Sequence, residues 1–309
     1  HDALPIFNNN LESQFESTAE VNSIIEQPDG KILLGGNFNS YGGVTCNELI
    51  RIHPDGTLDT TFQIGSGPAD PNSSVKVFDI QLTSTGKILV IGSFITYNGV
   101  NRRAIVRLNQ NGTVDPTFGS PNGGAQTPDG PGITCMLVQP DDKIIVGGYF
   151  NEYFNNNTFG IARLTPDGAL DPDFYAGNGI LGYEQKVNTL AIQPDGKILI
   201  GGKFNGYYAT ANCKNIVRIN QDGGYDSTFV YPDQPDDYDV TGIGLQSDGK
   251  IVVTGSFHNL NLDQQGLSQQ YYRLNTNGTI DSTFCISNRT DQGEIKTVTI
   301  LPNDNILLG

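Results

Sequence analysis

A phenylalanine returns at positions 62, 118, 174, 229 and 284, at intervals of 56, 56, 55 and 55 residues. Each time it closes the same kind of segment, which in its first full copy reads Ile50-Arg51-Ile52-His53-Pro54-Asp55-Gly56-Thr57-Leu58-Asp59-Thr60-Thr61-Phe62. A second segment precedes it, Gln27-Pro28-Asp29-Gly30-Lys31-Ile32-Leu33-Leu34-Gly35-Gly36-Asn37-Phe38, with copies starting near Thr83, Gln139, Gln193 and Gln246 and a partial copy at Leu301. A fixed period of this length means one supersecondary unit repeated, each copy too thin to bury its apolar surface alone and therefore packed against its neighbours.

The unit reads as four β-strands, in the first copy over 21–27, 31–38, 49–53 and 57–62. The runs Ile32-Leu33-Leu34 and Ile198-Leu199-Ile200 do not alternate with polar residues, which implies sheets covered on both faces. No stretch holds a 3.6-residue apolar period, so a helical solenoid is excluded. The Pro-Asp-Gly turns suit three-residue hairpin loops: Pro pre-sets φ, Asp braces the turn and Gly takes the left-handed position. Four strands per unit, stacked face to face, is an all-β β-propeller of four-stranded blades. The repeats span about 21–74, 75–132, 133–186, 187–239 and 240–293, with partial repeats at 3–20 and 294–309. A single propeller over 1–309 is expected, six-bladed with the N- and C-terminal strands sharing one blade; the alternative is an open arc cut from a longer array.

These two segments together resemble the delta-60 repeat proteins, whose repeats carry a QPDGKIL-GG stretch followed by R-[IL]-x-PDG-x-LD-x-x-F. The resemblance runs from Leu11 to Gly309, with departures at Ser84-Thr85-Gly86, Asp141-Asp142 and Asn303-Asp304. It implies a propeller-like fold and a secreted or cell-surface bacterial setting, and it supplies no biochemical activity. The opening His1-Asp2-Ala3-Leu4-Pro5-Ile6 resembles a sequencing-adapter scar, and the last residues stop inside a repeated motif. The expectation is a fragment of a longer protein.

A formal net charge of −15 argues against a nucleic-acid partner and against anionic membrane surfaces. No apolar run approaches the ~20 residues of a membrane span. Cys46, Cys135, Cys213 and Cys285 lie too far apart for a zinc ribbon or CxxC redox motif.

Candidate functional residues fall into three sets. Arg51/Asp59, Arg107/Asp115, Arg163/Asp171, Arg218/Asp226 and Arg273/Asp281 share an eight-residue offset, which predicts one structural cross-strand ion pair per blade. The tyrosines Tyr41, Tyr97, Tyr153 and Tyr207, with Tyr208 beside the last, sit in the long connections, expected on the face opposite the short turns, where ligands bind. Such a series would suit a protein or glycan partner, but each of the four follows a Phe by three residues (Phe38, Phe94, Phe150, Phe204), and that regularity favours packing between blades. The acidic loop Asp233, Asp236, Asp237 and Asp239 has the oxygen ligands Ca²⁺ would need but not the spacing of an EF-hand; no other cofactor is indicated. His53 and His258 form no cluster, and no catalytic triad or phosphate loop can be built. The leading expectation is a non-enzymatic extracellular binding or adhesion scaffold. The alternatives are a propeller hydrolase, lyase or sugar dehydrogenase with carboxylates at the central channel, and a structural spacer.

Overall fold

The short turns form as their residues dictate. In the first, the Gln27 amide donates to the Lys31 carbonyl at 2.7 Å and the Gly30 amide to Gln27 at 2.8 Å, with Gly30 at φ +80. The same pattern recurs at Thr83, Gln139, Gln193, Gln246 and Leu301. In the computed structural model, residues 14–119, 125–126, 132–153, 156–182, 184–208, 210–211, 213–230, 239–257, 269–284 and 295–309 are described, and all their regular structure is β.

Five antiparallel sheets of three strands carry the repeats. Blade 1 is Glu20–Glu26, Ile32–Asn37 and Leu49–Ile52; blade 2 is Val77–Leu82, Ile88–Gly92 and Ile105–Leu108. Blade 3 is Gly132–Val138, Ile144–Tyr149 and Ile161–Leu164; blade 4 is Lys186–Ile192, Ile198–Lys203 and Ile216–Ile219; blade 5 is Asp239–Leu245, Ile251–Phe257 and Gln269–Leu274. Val298–Ile300 and Ile306–Leu308 pair as the first two strands of a further repeat. The chain forms two compact units, one of His1–Val146, Phe150–Asn156 and Arg163–Leu170, the other of Gly147–Tyr149, Asn157–Ala162 and Asp171–Gly309.

The expected fourth strand is cut to one isolated bridge per blade: Ile52 to Leu58, Leu108 to Val114, Leu164 to Leu170, Ile219 to Tyr225 and Leu274 to Ile280. Asp59 shows why. Its Oδ1 accepts the Thr61 amide at 3.0 Å and the Thr61 hydroxyl at 2.6 Å, and its carbonyl accepts the Phe62 amide at 3.2 Å. An Asx turn diverts the chain immediately after the bridge.

The middle strands are buried on both faces, as the unbroken apolar runs require: Ile32, Leu33 and Leu34 are all at most 3% exposed. Within the first unit Leu33, Val77, Ile80, Val90 and Val106 belong to one apolar cluster spanning blades 1 and 2. Gly35 is what lets these sheets close up, since a Cβ there would lie 2.5 Å from Val77 and 2.8 Å from Ile80. In the second unit Gly201 meets Val240 and Ile243 in the same way. First strands of successive blades are also tied by side chains at a bulge. Asn22 Nδ2 donates to the Val77 carbonyl at 2.8 Å, Asn188 Nδ2 to Val240 at 2.9 Å and the Thr241 hydroxyl to Ile295 at 2.6 Å.

Candidate functional site

The recurrent charged residues converge on one node per blade. Asp59 is 2% exposed and receives Arg51 Nε at 2.8 Å and Lys31 Nζ at 3.0 Å. Burial pushes its carboxyl up, but the Thr61 hydroxyl, Lys31, the Thr61 amide and Arg51 outweigh it and hold the group far below the ordinary carboxylate range. The other arms of Arg51 are also used. Nη1 donates to Gln27 Oε1 at 3.3 Å and to the Gln110 carbonyl of the next blade's turn at 2.5 Å, and the guanidinium lies 4.6 Å over the Phe62 ring. Equivalent nodes join Arg107, Asp115, Lys87 and Phe118, then Arg218, Asp226, Lys197 and Phe229, then Arg273, Asp281, Lys250 and Phe284. Arg107 reaches the Pro166 carbonyl and Arg218 the Thr276 carbonyl at 2.6 Å, so in three nodes the Arg also clamps the following blade. Arg163 and Asp171 are both buried. Four of the five predicted ion pairs are therefore structural hubs, each with a Lys and a Phe, and three of them with a Gln, Gln27, Gln193 and Gln246, that the eight-residue offset alone did not reveal.

The tyrosine series is placed differently from a ligand-binding face. Tyr41, Tyr97, Tyr153 and Tyr207 are at most 2% exposed. Tyr41 donates its hydroxyl to the Gly56 carbonyl at 2.6 Å and Tyr207 to Gly223 at 2.7 Å. The register puts Glu26, Ile32 and Ile52 at the short-turn end of blade 1 and Gly35, Gly36 and Leu49 at the opposite end, where the long connection leaves, so each of these tyrosine side chains reaches back along its blade toward a short turn. The connections are not free loops. Ser40–Tyr41 pairs with Val44–Thr45, and in the following repeats the incoming linker adds a strand: Pro68–Ala69 beside Thr96–Tyr97, Ala125–Gln126 beside Glu152–Tyr153, Ile180–Leu181 beside Gly206–Tyr207. Burial and the three-residue Phe–Tyr spacing thus belong to packing, and of the five proposed ligand-binding tyrosines only Tyr208 keeps partial exposure.

Of the remaining candidates, Asp233, Asp236, Asp237, His258 and Cys285 lie outside the described residues. Asp239 accepts from Asn188 Nδ2 at 2.5 Å. His53 is 4.0 Å from Asp59 through Nε2. Among the described residues no three His, Cys, Asp or Glu side chains are grouped to hold a metal ion. Cys46 and Cys213 are free thiols and Cys135 is buried; burial pushes Cys46 up to about 12 and Cys213 up to about 11, which makes both poor nucleophiles. Two carboxyls stand out. Burial pushes Asp79, on the first strand of blade 2, up to about 6 against hydrogen bonds from Gln81, Ser23 and the Ile80 amide. Burial, reinforced by Glu16, pushes Glu48 up to about 7. A cleft of about 430 Å³ opens along blade 1 between Val44–Asn47 and Phe62–Gly65, but its charged floor, Arg51 and Asp59, is already paired.

Sequence comparison matches the β-propeller family described as a domain of unknown function (DUF5122) over residues 27–62, 83–118, 139–174, 193–229, 246–267 and 271–284, more than half the chain. The chain belongs to this DUF5122 propeller family. No curated protein matches its sequence. Among solved structures, the DUF5122 chain is similar to virginiamycin B lyase from Staphylococcus aureus, with 17% identity, 94% of this chain and 83% of that one covered, and a TM-score of 0.55. It is also similar to the WD40 propeller domain of Doa1, at 14% identity over 94% of this chain and 75% of that one, TM-score 0.50. PorZ, a bacterial surface component of the type-IX secretion system of Porphyromonas gingivalis, matches at 13% identity over 94% of this chain but 38% of its own length, TM-score 0.50. These likenesses establish the propeller fold. No helix among the described residues is long and apolar enough to cross a membrane.

Two residues of the DUF5122 propeller escaped the sequence reasoning. Asp79 replaces Ser23, Cys135 and Thr189 at one position of the first strand, and alignment of the repeats would have flagged it as the only carboxylate there. Tyr175 follows the recurrent Phe174 where other copies have Gln63, Gly119 and Val230; it is 68% exposed.

Proposed function

We propose that this DUF5122 propeller is a non-enzymatic binding or adhesion module working outside a bacterial cell, with its ligand, a protein or a glycan, held by residues that differ between repeats. The observation that carries the reading is the fate of the recurrent polar side chains: Arg, Asp, Lys, Gln and the buried tyrosine hydroxyls of Tyr41 and Tyr207 are used in holding blades together. What remains for recognition is the set of non-repeating side chains on a rigid frame, the usual arrangement for binding on a scaffold. The likeness to a bacterial surface component supports the extracellular setting as a matter of fold alone.

The experiment is quantitative binding of the purified chain to immobilised extracellular polysaccharides and matrix proteins, repeated after the blade 4 connection 205–215 is replaced by the shorter blade 2 connection 95–103. Saturable binding that changes with such exchanges supports the reading. Contacts that are weak, non-saturable and indifferent to them count against it.

A propeller enzyme is the second reading, favoured by one observation: Asp79 is an enclosed carboxyl whose proton is held up to about pH 6, the range of a general acid. It would need a second catalytic group, and Ser23, 3.0 Å from Asp79 Oδ1, is the polar side chain beside it. Turnover of a lactone, ester or glycoside that is lost in Asp79→Asn would move the argument to this reading.

A further inference from the structure

The repeats supply their own control for deciding which surface side chains the fold requires. The residue after Tyr41, Tyr97 and Tyr207 is held in the left-handed region, Gly42 at φ +57, Asn98 at +51 and Tyr208 at +68; the residue after Tyr153, Phe154, lies outside the described residues. Gly and Asn adopt this conformation readily, whereas a bulky aromatic is an outlier there. The backbone duty is the same in both full copies, since the Asn98 amide donates to Gly67 at 2.8 Å and the Tyr208 amide to Gly179 at 2.9 Å. At the sister site the side chain also works for the fold, Asn98 Oδ1 accepting from the Ser66 amide at 3.1 Å and from its hydroxyl at 3.2 Å. A Tyr gives up that bond and accepts strain, and strain at a bulky residue points to a role other than folding.

Tyr175 passes the same test. Its amide donates to the Asp222 carbonyl at 2.7 Å, as those of Gln63, Gly119 and Val230 do to Asn111, Asp167 and Asn277. The backbone joint needs no aromatic side chain, yet this one is a Tyr with 68% of its surface exposed. The two non-required aromatics meet each other: their ring centroids are 5.6 Å apart at 77°. Gly177 clears the space for this, because a Cβ there would lie 2.4 Å from Tyr208 Cδ2. Asp222 is exposed beside them, with Oδ1 accepting the Gly224 amide at 2.9 Å and its charge felt at the Tyr208 hydroxyl.

We propose that Tyr175 and Tyr208 form a platform on which one pyranose ring of a neutral glycan stacks, with Asp222 accepting a sugar hydroxyl. An aromatic pair with polar rims presents apolar faces to axial C–H groups and oxygens to equatorial hydroxyls. The adjacent carboxylate, in a chain of net charge −15, selects against uronic and sialic acids. This rests on the binding-module reading and names its ligand class and place.

The test uses the whole chain and a panel of neutral gluco-, manno-, galacto- and N-acetylglucosamine hexasaccharides, with acidic oligosaccharides alongside. The chain has no Trp and 13 Tyr, so tyrosine fluorescence and calorimetry both report binding. Tyr208→Asn and Tyr175→Gln install the residues of the sister repeats, which keeps the fold. We expect a neutral hexasaccharide to bind and each variant to weaken it by about tenfold or more, with melting unchanged or raised. Binding that survives in both variants overturns the site while leaving the module reading intact. Preference for acidic sugars, or no neutral sugar held at about 10 mM, overturns the ligand class; the protein-ligand screen described above then decides the module reading separately.

Discussion

Asp142 accepts both the amide and the hydroxyl of Ser84, at 2.7 and 2.6 Å, across the joint between blades 2 and 3. Asp142 stands where the turn wants Gly and sits at φ +61; Ser84 stands where other copies have Pro. The same exchange occurs again, with Asp304 at φ +62 holding the amide of Ser247 at 2.8 Å and also its hydroxyl. A strained carboxylate in one turn is thus matched by a Ser with a free amide in the turn before it.

This predicts non-additivity. Ser84→Pro removes both donors and leaves Asp142 strained without reward, so it should destabilise by about 1–2 kcal/mol. Asp142→Gly relieves the strain as it loses the bonds and should be nearly neutral. The double variant restores the usual turn pair, and a thermal double-mutant cycle should show coupling of about 1 kcal/mol. Additive effects would mean that the two turns are not linked.

The charged nodes predict a hierarchy. Asp226 is 4% exposed and joins Arg218 at 2.7 Å and Lys197 at 2.9 Å. Asp226→Asn leaves a buried guanidinium unpaired and should cost about 3–5 kcal/mol, lowering the melting temperature by roughly 10 °C. Lys197→Met removes a partner that keeps substantial exposure and should cost about 1 kcal/mol or less. Equal losses in calorimetry would contradict the central role given to Asp226.

Much of this frame was legible in the sequence, because a repeat states the same physical demand several times. Left-handed turns announce themselves through Gly30 and Gly56, double-faced burial through Ile32-Leu33-Leu34, and the Arg51–Asp59 pair through its offset. The fourth strand was misread because Leu58 and Phe62 suggest a strand, and only the hydrogen bonds of Asp59 to Thr61 reveal the turn. The tyrosines were ambiguous for a different reason. Residue type and spacing suit both a packed ring and a ligand platform, and depth of burial, which separates Tyr207 from Tyr208, is a three-dimensional property.

Acid should first stabilise and then unfold the protein. Asp79 and Glu48 are carboxyls raised in the folded state, to about 6 and about 7, so the folded chain binds their protons more tightly than the unfolded chain does. Their contribution is present below the unfolded value of about 4 and is lost as pH rises through 6 to 7. Asp59, Asp115 and Asp226 are lowered, so the stability they supply is present above about pH 4 and lost as pH falls below it. Melting temperature should therefore rise from pH 7.5 to a maximum near pH 4–5 and drop steeply beneath. Asp79→Asn with Glu48→Gln should flatten the upper limb and leave the acid limb in place; an upper limb that persists would assign it to relief of the general negative charge.

The buried hydroxyls separate packing from hydrogen bonding within one residue type. Tyr207 donates to Gly223 at 2.7 Å, whereas the Tyr97 hydroxyl, equally buried, has no hydrogen-bond partner among the described residues. Removing a satisfied hydroxyl strands the carbonyl that accepted it; removing an unsatisfied one deletes a desolvation cost. Tyr207→Phe should destabilise by about 1 kcal/mol, and Tyr97→Phe should be neutral or stabilising by about the same amount. The rings fill the same kind of site three residues after a Phe, so loss of packing is held constant between the two. If chemical denaturation shows Tyr97→Phe to be as damaging as Tyr207→Phe, then the Tyr97 hydroxyl has a bound partner, and a buried water beside Glu48, whose charge reaches that hydroxyl, would be the first place to look.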